Sequence, residues 1–163
     1  MHFRAIGYTF YQRISGSVLV SLLGKRSVFE ILHTIPFNST RKRMSIVVRT
    51  PEGTIIVFCK GADDVIIGRR KKDAEFDLNK LMNQINSFSS QGLRTLCLSM
   101  KIIDAKYWSN WKNKYNIASA QVNNRQVTLD ALADEIEGDL EFLGATAIED
   151  NLQQGLKYLI YIF

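Results

Sequence analysis

Three separated stretches of this chain carry side chains suited to gripping a flat, phosphorylated ligand. In the first, Ile35-Pro36-Phe37-Asn38-Ser39-Thr40-Arg41-Lys42-Arg43-Met44-Ser45, an aromatic ring precedes three consecutive cations at the mouth of a β-rich run. The second is Lys60 followed by Gly61, and the third is Arg94, two residues after Gly92. A π face suits a base, a lysine supplies a compact positive charge, and an arginine supplies a planar fork that matches phosphate oxygens. The competing reading of the first stretch is a strand entrance with a solvated charge run. For Arg41 and Arg43 that reading is the stronger, and both are expected at the surface.

The elements that must position these residues follow from hydrophobic period and turn chemistry. Residues 8–13 and 18–23 are β-rich and flank the turn-prone Ile14-Ser15-Gly16-Ser17, which predicts a hairpin. Gly24-Lys25 turns the chain into a third strand over 28–35. Strands over 44–49 and 54–60 are joined by Thr50-Pro51-Glu52-Gly53, with Pro second and Gly fourth as a type I turn prefers. Their antiparallel pairing brings the cation run beside Lys60 at the end away from the turn.

Asp63 is a candidate N-cap for a short helix over 64–70, and Asp77 caps a second helix on which Leu78, Leu81, Met82, Ile85 and Phe88 recur at helical spacing. Gly92 suits the left-handed residue beyond its end. Residues 94–100 alternate as a half-buried strand, and Arg94 shares the parity of Leu96, Leu98 and Met100. An arginine on the inward side of a strand requires an anion or a rim position, because an unpaired buried guanidinium is too costly.

Asp104 caps a further helix whose stripe of Tyr107 or Trp108, Trp111, Tyr115 and Ala118 reads as aromatic core. A helix over 129–137 turns Leu132 and Ile136 inward and Asp130, Asp134, Glu135 and Glu137 to water. A small-residue strand over 140–148 follows, and the terminal Leu-Lys-Tyr-Leu-Ile-Tyr-Ile-Phe is apolar but short.

Composition bounds the rest. The chain has 163 residues, 46% hydrophobic and 23% charged, with two prolines and ten glycines, a balance that predicts one folded domain with little linker. A net charge of +5 and a pI near 9.3 favour an anionic partner without choosing among nucleotide, nucleic acid and lipid headgroup. Cys59 and Cys97 sit in apolar runs with no metal-ligand spacing, so both are expected as reduced core thiols. His2 and His33 are isolated and receive no role. No segment approaches the roughly 20 apolar residues that span a bilayer, and the expectation is a soluble chain.

Four motifs, "PFNSTRKRMSIVVRTPEG", "CKGADDVI", "QGLRTLCL" and "FLGATAIEDNLQ", occur in this order, with "AIGYTFYQR" ahead of them. Together they resemble the nucleotide-binding domain of P-type ATPases of the phospholipid-translocating class, the lipid flippases. The resemblance implies an α+β fold, an antiparallel sheet flanked by helices, over residues 1–139. It also implies that 140–163 begin the return into the phosphorylation domain, with a divergent tail. By the same resemblance Phe37 stacks on adenine, Ser39 and Lys42 line the nucleotide, Lys60 and Gly61 belong to the adenosine pocket, Arg94 reaches the phosphates, and Asp150 is a hinge residue.

The implied ligand is ATP, with Mg2+ held in the full-length parent by residues outside this chain. The implied partners are phosphorylation, actuator and transmembrane domains, and phospholipid only through membrane segments; nucleic acid is disfavoured. The chain would then be a cytoplasmic domain of an integral membrane protein, a fragment of an ATP-driven translocase that binds ATP without hydrolysing it. It has no Asp-Lys-Thr-Gly and no Gly-Asp-Gly string, and it is expected to start after the acidic segment that contacts adenine in relatives. The alternatives are a basic nucleic-acid-binding module and a non-catalytic regulatory domain with the same fold.

Overall fold

The computed structural model describes residues 7–72 and 77–149. Their backbone forms one antiparallel sheet of seven strands in which spatial order equals chain order. The strands are β1 (Tyr8–Ile14), β2 (Ser17–Leu22), β3 (Lys25–Asn38), β4 (Arg43–Arg49), β5 (Ile55–Gly61), β6 (Leu93–Ile103) and β7 (Glu141–Glu149). Four helices complete the described fold: α1 (Asp63–Gly68) and α2 (Leu78–Ser90) between β5 and β6, then α3 (Ala105–Ser119) and α4 (Arg125–Ile136) between β6 and β7. The α+β class and the antiparallel sheet flanked by helices are therefore as the sequence implies. Asp150 and the apolar tail lie outside the described residues.

The local signals act as their chemistry requires. Gly53 N–H closes the β4–β5 turn on Thr50 O at 2.9 Å, and Gly53 has φ +88°, which a residue without Cβ adopts at little cost. Asp77 and Asp104 accept from the third residue of their helices, Lys80 N at 2.9 Å and Tyr107 N at 2.7 Å. α1 differs by one residue. Its N-cap is Ala62, which has no side chain to cap with, and Asp63 instead opens the helix and accepts from Asp64 N.

Alternation assigns the sheet faces. Ile55, Val57, Cys59 and Gly61 of β5 are buried, whereas Phe58 and Lys60 between them are exposed. Ile55 and Val57 join the cluster under α3 and α4, and Cys59 joins the cluster under α1 and α2. Because strand neighbours two apart share a face, all four helices pack on the same side. The opposite face carries no helix among the described residues.

Under α3 the aromatic stripe is core, with Trp108 and Trp111 stacked at 5.5 Å and Trp111 and Tyr115 at 5.1 Å. Trp111 is 1% exposed and donates Nε1–H to Leu132 O at 2.9 Å. Cys59 and Cys97 are free, buried thiols, and burial pushes the Cys97 thiol up to about 11, so neither has thiolate character near neutrality.

His33 sits edge-on to Trp111 and Tyr115, with Nδ1 3.3 Å from Lys112 Nζ. Burial, and then the Lys112 charge, lower its pKa from 6.5 to about 4. A histidine that resists protonation only when folded contributes stability above about 6.5 that is lost as pH falls towards about 4. The melting temperature should therefore decline across that window, and His33→Gln should flatten the decline. An equally steep fall in the variant rejects this assignment.

Candidate functional site

Ser39, Lys42, Lys60 and Gly61 lie where β3 turns into β4 and where β5 runs into α1, whereas Phe37 precedes the turn on the helix-bearing side and Arg94 lies further along the helix-free face on β6. Register skips between Ile35 and Asn38, so the chain bulges at Pro36-Phe37 before a tight turn. Asn38 organises that turn: its Oδ1 accepts from Thr40 N at 2.7 Å, and its carbonyl accepts from Lys42 N at 2.7 Å. An Asn side chain bonding its own backbone two residues on is a standard way to nucleate a turn. Lys42 is held at φ +52°, an unusual setting for a residue with a Cβ, which persists only where its surroundings over-determine it.

Gly61 supplies part of that constraint. Arg43 is its strand partner, and Ala62 N–H donates to Lys42 O at 3.1 Å. A Cβ on Gly61 would lie 2.6 Å from both Lys42 O and Arg43 Cβ, so only glycine allows the two strand ends to meet this closely. Lys42 and Lys60-Gly61-Ala62 are thus joined through backbone. Lys42 Nζ leans towards Asp64 at 3.7 Å, an exposed pair worth little.

Lys60 lies on the helix-free face beside its partners Met44 and Leu98. Arg94 shares that face, four residues before Leu98 on β6, and is exposed. The parity read from the sequence is right, but the inward side is not: Cys97 and Ser99 are the residues of β6 that point to the helices. Ser39 is exposed in the turn. Phe37 is 62% exposed and lines a cleft of about 280 Å³ with Tyr115, Leu129 and Ala133, on the side that carries α3 and α4.

Arg41 and Arg43 overturn the expectation of surface charge: they are 8% and 3% exposed. Glu137 overturns the expectation of a solvated face, since it is 0% exposed and lies between them. Its Oε2 accepts from Arg41 Nη1 at 2.9 Å and Arg43 Nε at 2.6 Å, and its Oε1 accepts from Ser45 Oγ at 2.6 Å. Asp134 accepts from Arg43 Nη2 and, at 2.7 Å, from Arg69 Nη2. The physical reason is pairing: charges enter a core when opposite charge and hydrogen bonds meet them there. Helical spacing held a signal for Glu137, because it caps the C-terminus of α4 four residues after the buried Ala133 of the inward stripe.

The arrangement presents two strand-face cations beside a locked turn to an anionic ligand, with the exposed Phe37 ring at the edge of that turn on the helix-bearing side. The model of the family described as P-type ATPase, cytoplasmic domain N, matches residues 12–155. Over 94% of its length the chain is 42% identical to "Phospholipid-transporting ATPase DNF1" of Chaetomium thermophilum. Over 96% it is 45% identical to "Phospholipid-transporting ATPase IC" of Mus musculus and 42% identical to "Phospholipid-transporting ATPase DRS2" of Saccharomyces cerevisiae. It spans only 10–12% of the length of these relatives. A match over most of the chain, joined to the antiparallel sheet and its one-sided helices, places the chain in the P-type ATPase cytoplasmic domain N family.

Proposed function

We propose that this domain binds ATP at the β3–β4 turn and the adjoining helix-free sheet face, and presents it to a phosphorylation domain of a phospholipid-translocating parent. The observation that carries the reading is the backbone lock between Lys42 and Lys60-Gly61-Ala62, which sets two cationic segments side by side in an unusual conformation. Phe37, at the edge of the turn on the helix-bearing side, offers its exposed ring to adenine reaching over that edge. Ser39, Lys42, Lys60 and Gly61 line the nucleoside and the first phosphates, and Arg94 attracts the phosphate tail along β6.

The domain holds and orients the nucleotide; the acceptor aspartate and the step of phosphoryl transfer belong to the parent. Among the described residues no group of three His, Cys, Asp or Glu is placed to hold a metal ion. Asp150 keeps its proposed place as a hinge residue between this domain and the next. Lipid enters only through membrane segments of the parent, and among the described residues no helix is long and apolar enough to cross a membrane.

Stacking contributes about 1–3 kcal/mol and each charge-assisted hydrogen bond about 1.5–3, against roughly 4–15 lost on association. The dissociation constant should fall on the order of 0.1–10 mM, which suits a domain that must release its product. Phe37→Ala should weaken ATP binding by roughly 5- to 100-fold, the equivalent of one lost stacking contact. Lys60→Glu should weaken it further by replacing attraction with repulsion, with circular dichroism to verify folding. Titration of ATP and of a single-stranded oligonucleotide at two salt concentrations checks both variants. Unchanged ATP affinity in Phe37→Ala removes the stacking role, and a tighter, steeply salt-dependent oligonucleotide complex replaces the ATP reading with a nucleic-acid one.

A further inference from the structure

We propose that Glu137 is a positioning residue for the nucleotide turn, acting through Arg41 on the backbone that brackets Phe37, Ser39 and Lys42. The inference rests on the ATP reading above for its functional consequence, and on contacts within the chain for its geometry. Arg41 Nη2 donates to Pro36 O at 3.1 Å and to Arg43 O at 3.3 Å. One guanidinium therefore ties the residue before Phe37 to the residue after Lys42. The rotation of that guanidinium is set by its other nitrogen, Nη1, bound to Glu137 Oε2 at 2.9 Å.

Arg43 reinforces the same turn from the far side. Its Nη1 donates to Arg41 O at 3.0 Å, while its Nε is held by Glu137 at 2.6 Å. The carboxylate has three partners, two guanidinium groups and Ser45 Oγ, and its side chain is shut off from water. Buried ion pairs add little net stability compared with apolar groups of the same volume, but they impose direction on whatever they bind. Here the directed groups are donors on loop carbonyls, and an apolar filler would leave those carbonyls unheld. The Asn38 turn and the left-handed Lys42 sit inside this bracket.

The role is separable from simple support of the fold, because Arg94 stands on β6, outside the bracket, whereas Lys60 adjoins Gly61 and Ala62, which touch the bracketed Lys42 and Arg43. Two variants test it in the full 163-residue chain: Glu137→Gln keeps shape and loses charge, and Arg41→Lys keeps charge but lacks the fork that reaches two carbonyls. Both should weaken ATP binding about tenfold at temperatures well below their melting points. In the Glu137→Gln background, Phe37→Ala should then cost much less than it does in the unchanged chain, whereas Arg94→Gln should add its full effect, since coupling is confined to residues in one network. Equal additivity for Phe37 and Arg94, or ATP affinity within about twofold of the unchanged chain in both variants, overturns the proposal.

A ligand-free measurement keeps its failure distinct from failure of the ATP reading. Amide exchange at Thr40 and Lys42, whose N–H groups are bound by Asn38, should accelerate in the variants while the β4–β5 ladder stays protected. If the unchanged chain does not bind ATP, the nucleotide reading falls and exchange alone decides the bracket. Unaltered exchange at both amides then rejects it. Should Glu137→Gln fail to fold, Arg41→Lys decides by the same measurements.

Discussion

Trp111→Ala should destabilise the chain by about 3–5 kcal/mol, the range for emptying a buried aromatic site. The indole is 1% exposed, stacks on Trp108 and Tyr115, meets the edge of His33, and donates to Leu132 O. Removing it opens a void between α3, α4 and the sheet that three rings and a helix backbone line, and none of these can collapse inward without leaving another partner. Thermal melting should show a fall of roughly 6–20 °C for a domain of this size. Ile117→Ala, on the exposed side of the same helix at 59% exposure, should change stability by about 0.5 kcal/mol or less. Similar losses in the two variants would mean that α3 is not packed as described. The site should feel the change as well, because α4, which α3 supports, carries the carboxylate that grips Arg41 and Arg43.

Glu137→Ala should cost a comparable 3–5 kcal/mol for a different reason. It leaves two guanidinium groups, 8% and 3% exposed, without the carboxylate between them, and Ser45 Oγ without its acceptor. Asp134 is 52% exposed and can compensate only Arg43 and Arg69. Asp134→Ala therefore serves as the contrast and should cost about 1 kcal/mol or less, as surface pairs do. Urea denaturation of both variants measures the difference. If Asp134→Ala proves as damaging as Glu137→Ala, burial does not set the energetics of this cluster, and the asymmetry argued here is wrong.

Much of the fold was legible because its signals are local. The Thr50-Pro51-Glu52-Gly53 turn, the Asp77 and Asp104 caps and the Trp108-Trp111-Tyr115 stripe each depend on residues within about one turn of one another. Such signals survive folding because the tertiary environment has no reason to oppose them. The exception among the caps, Ala62 in place of Asp63, arises where β5 and α1 abut with no loop between, so that the close contact of Gly61 with Lys42 dictates where the helix begins.

The candidate site was legible in residue type and order, and less so in placement. Motifs single out Phe37, Ser39, Lys42, Lys60, Gly61 and Arg94, but alternation alone turns Arg94 to the wrong side of β6. Alternation says that two faces differ, but it does not say which one the helices choose. Arg41 and Arg43 read as surface charge because a buried run of cations is indistinguishable, on its own, from a solvated one. Only Glu137, some 90 residues downstream, changes the sign of the argument.

Sequence alone thus determined the strands, the turns, the caps of α2 and α3 and the kinds of side chain present at the candidate site, since each rests on short-range sterics and hydrogen bonding. Tertiary structure decided which charges enter the core, which sheet face stays without helices, and how the turn bearing Phe37 and Lys42 is held. Those outcomes hinge on the cost of desolvating a charge, and that cost is met only when a partner from a remote part of the chain arrives at hydrogen-bonding distance.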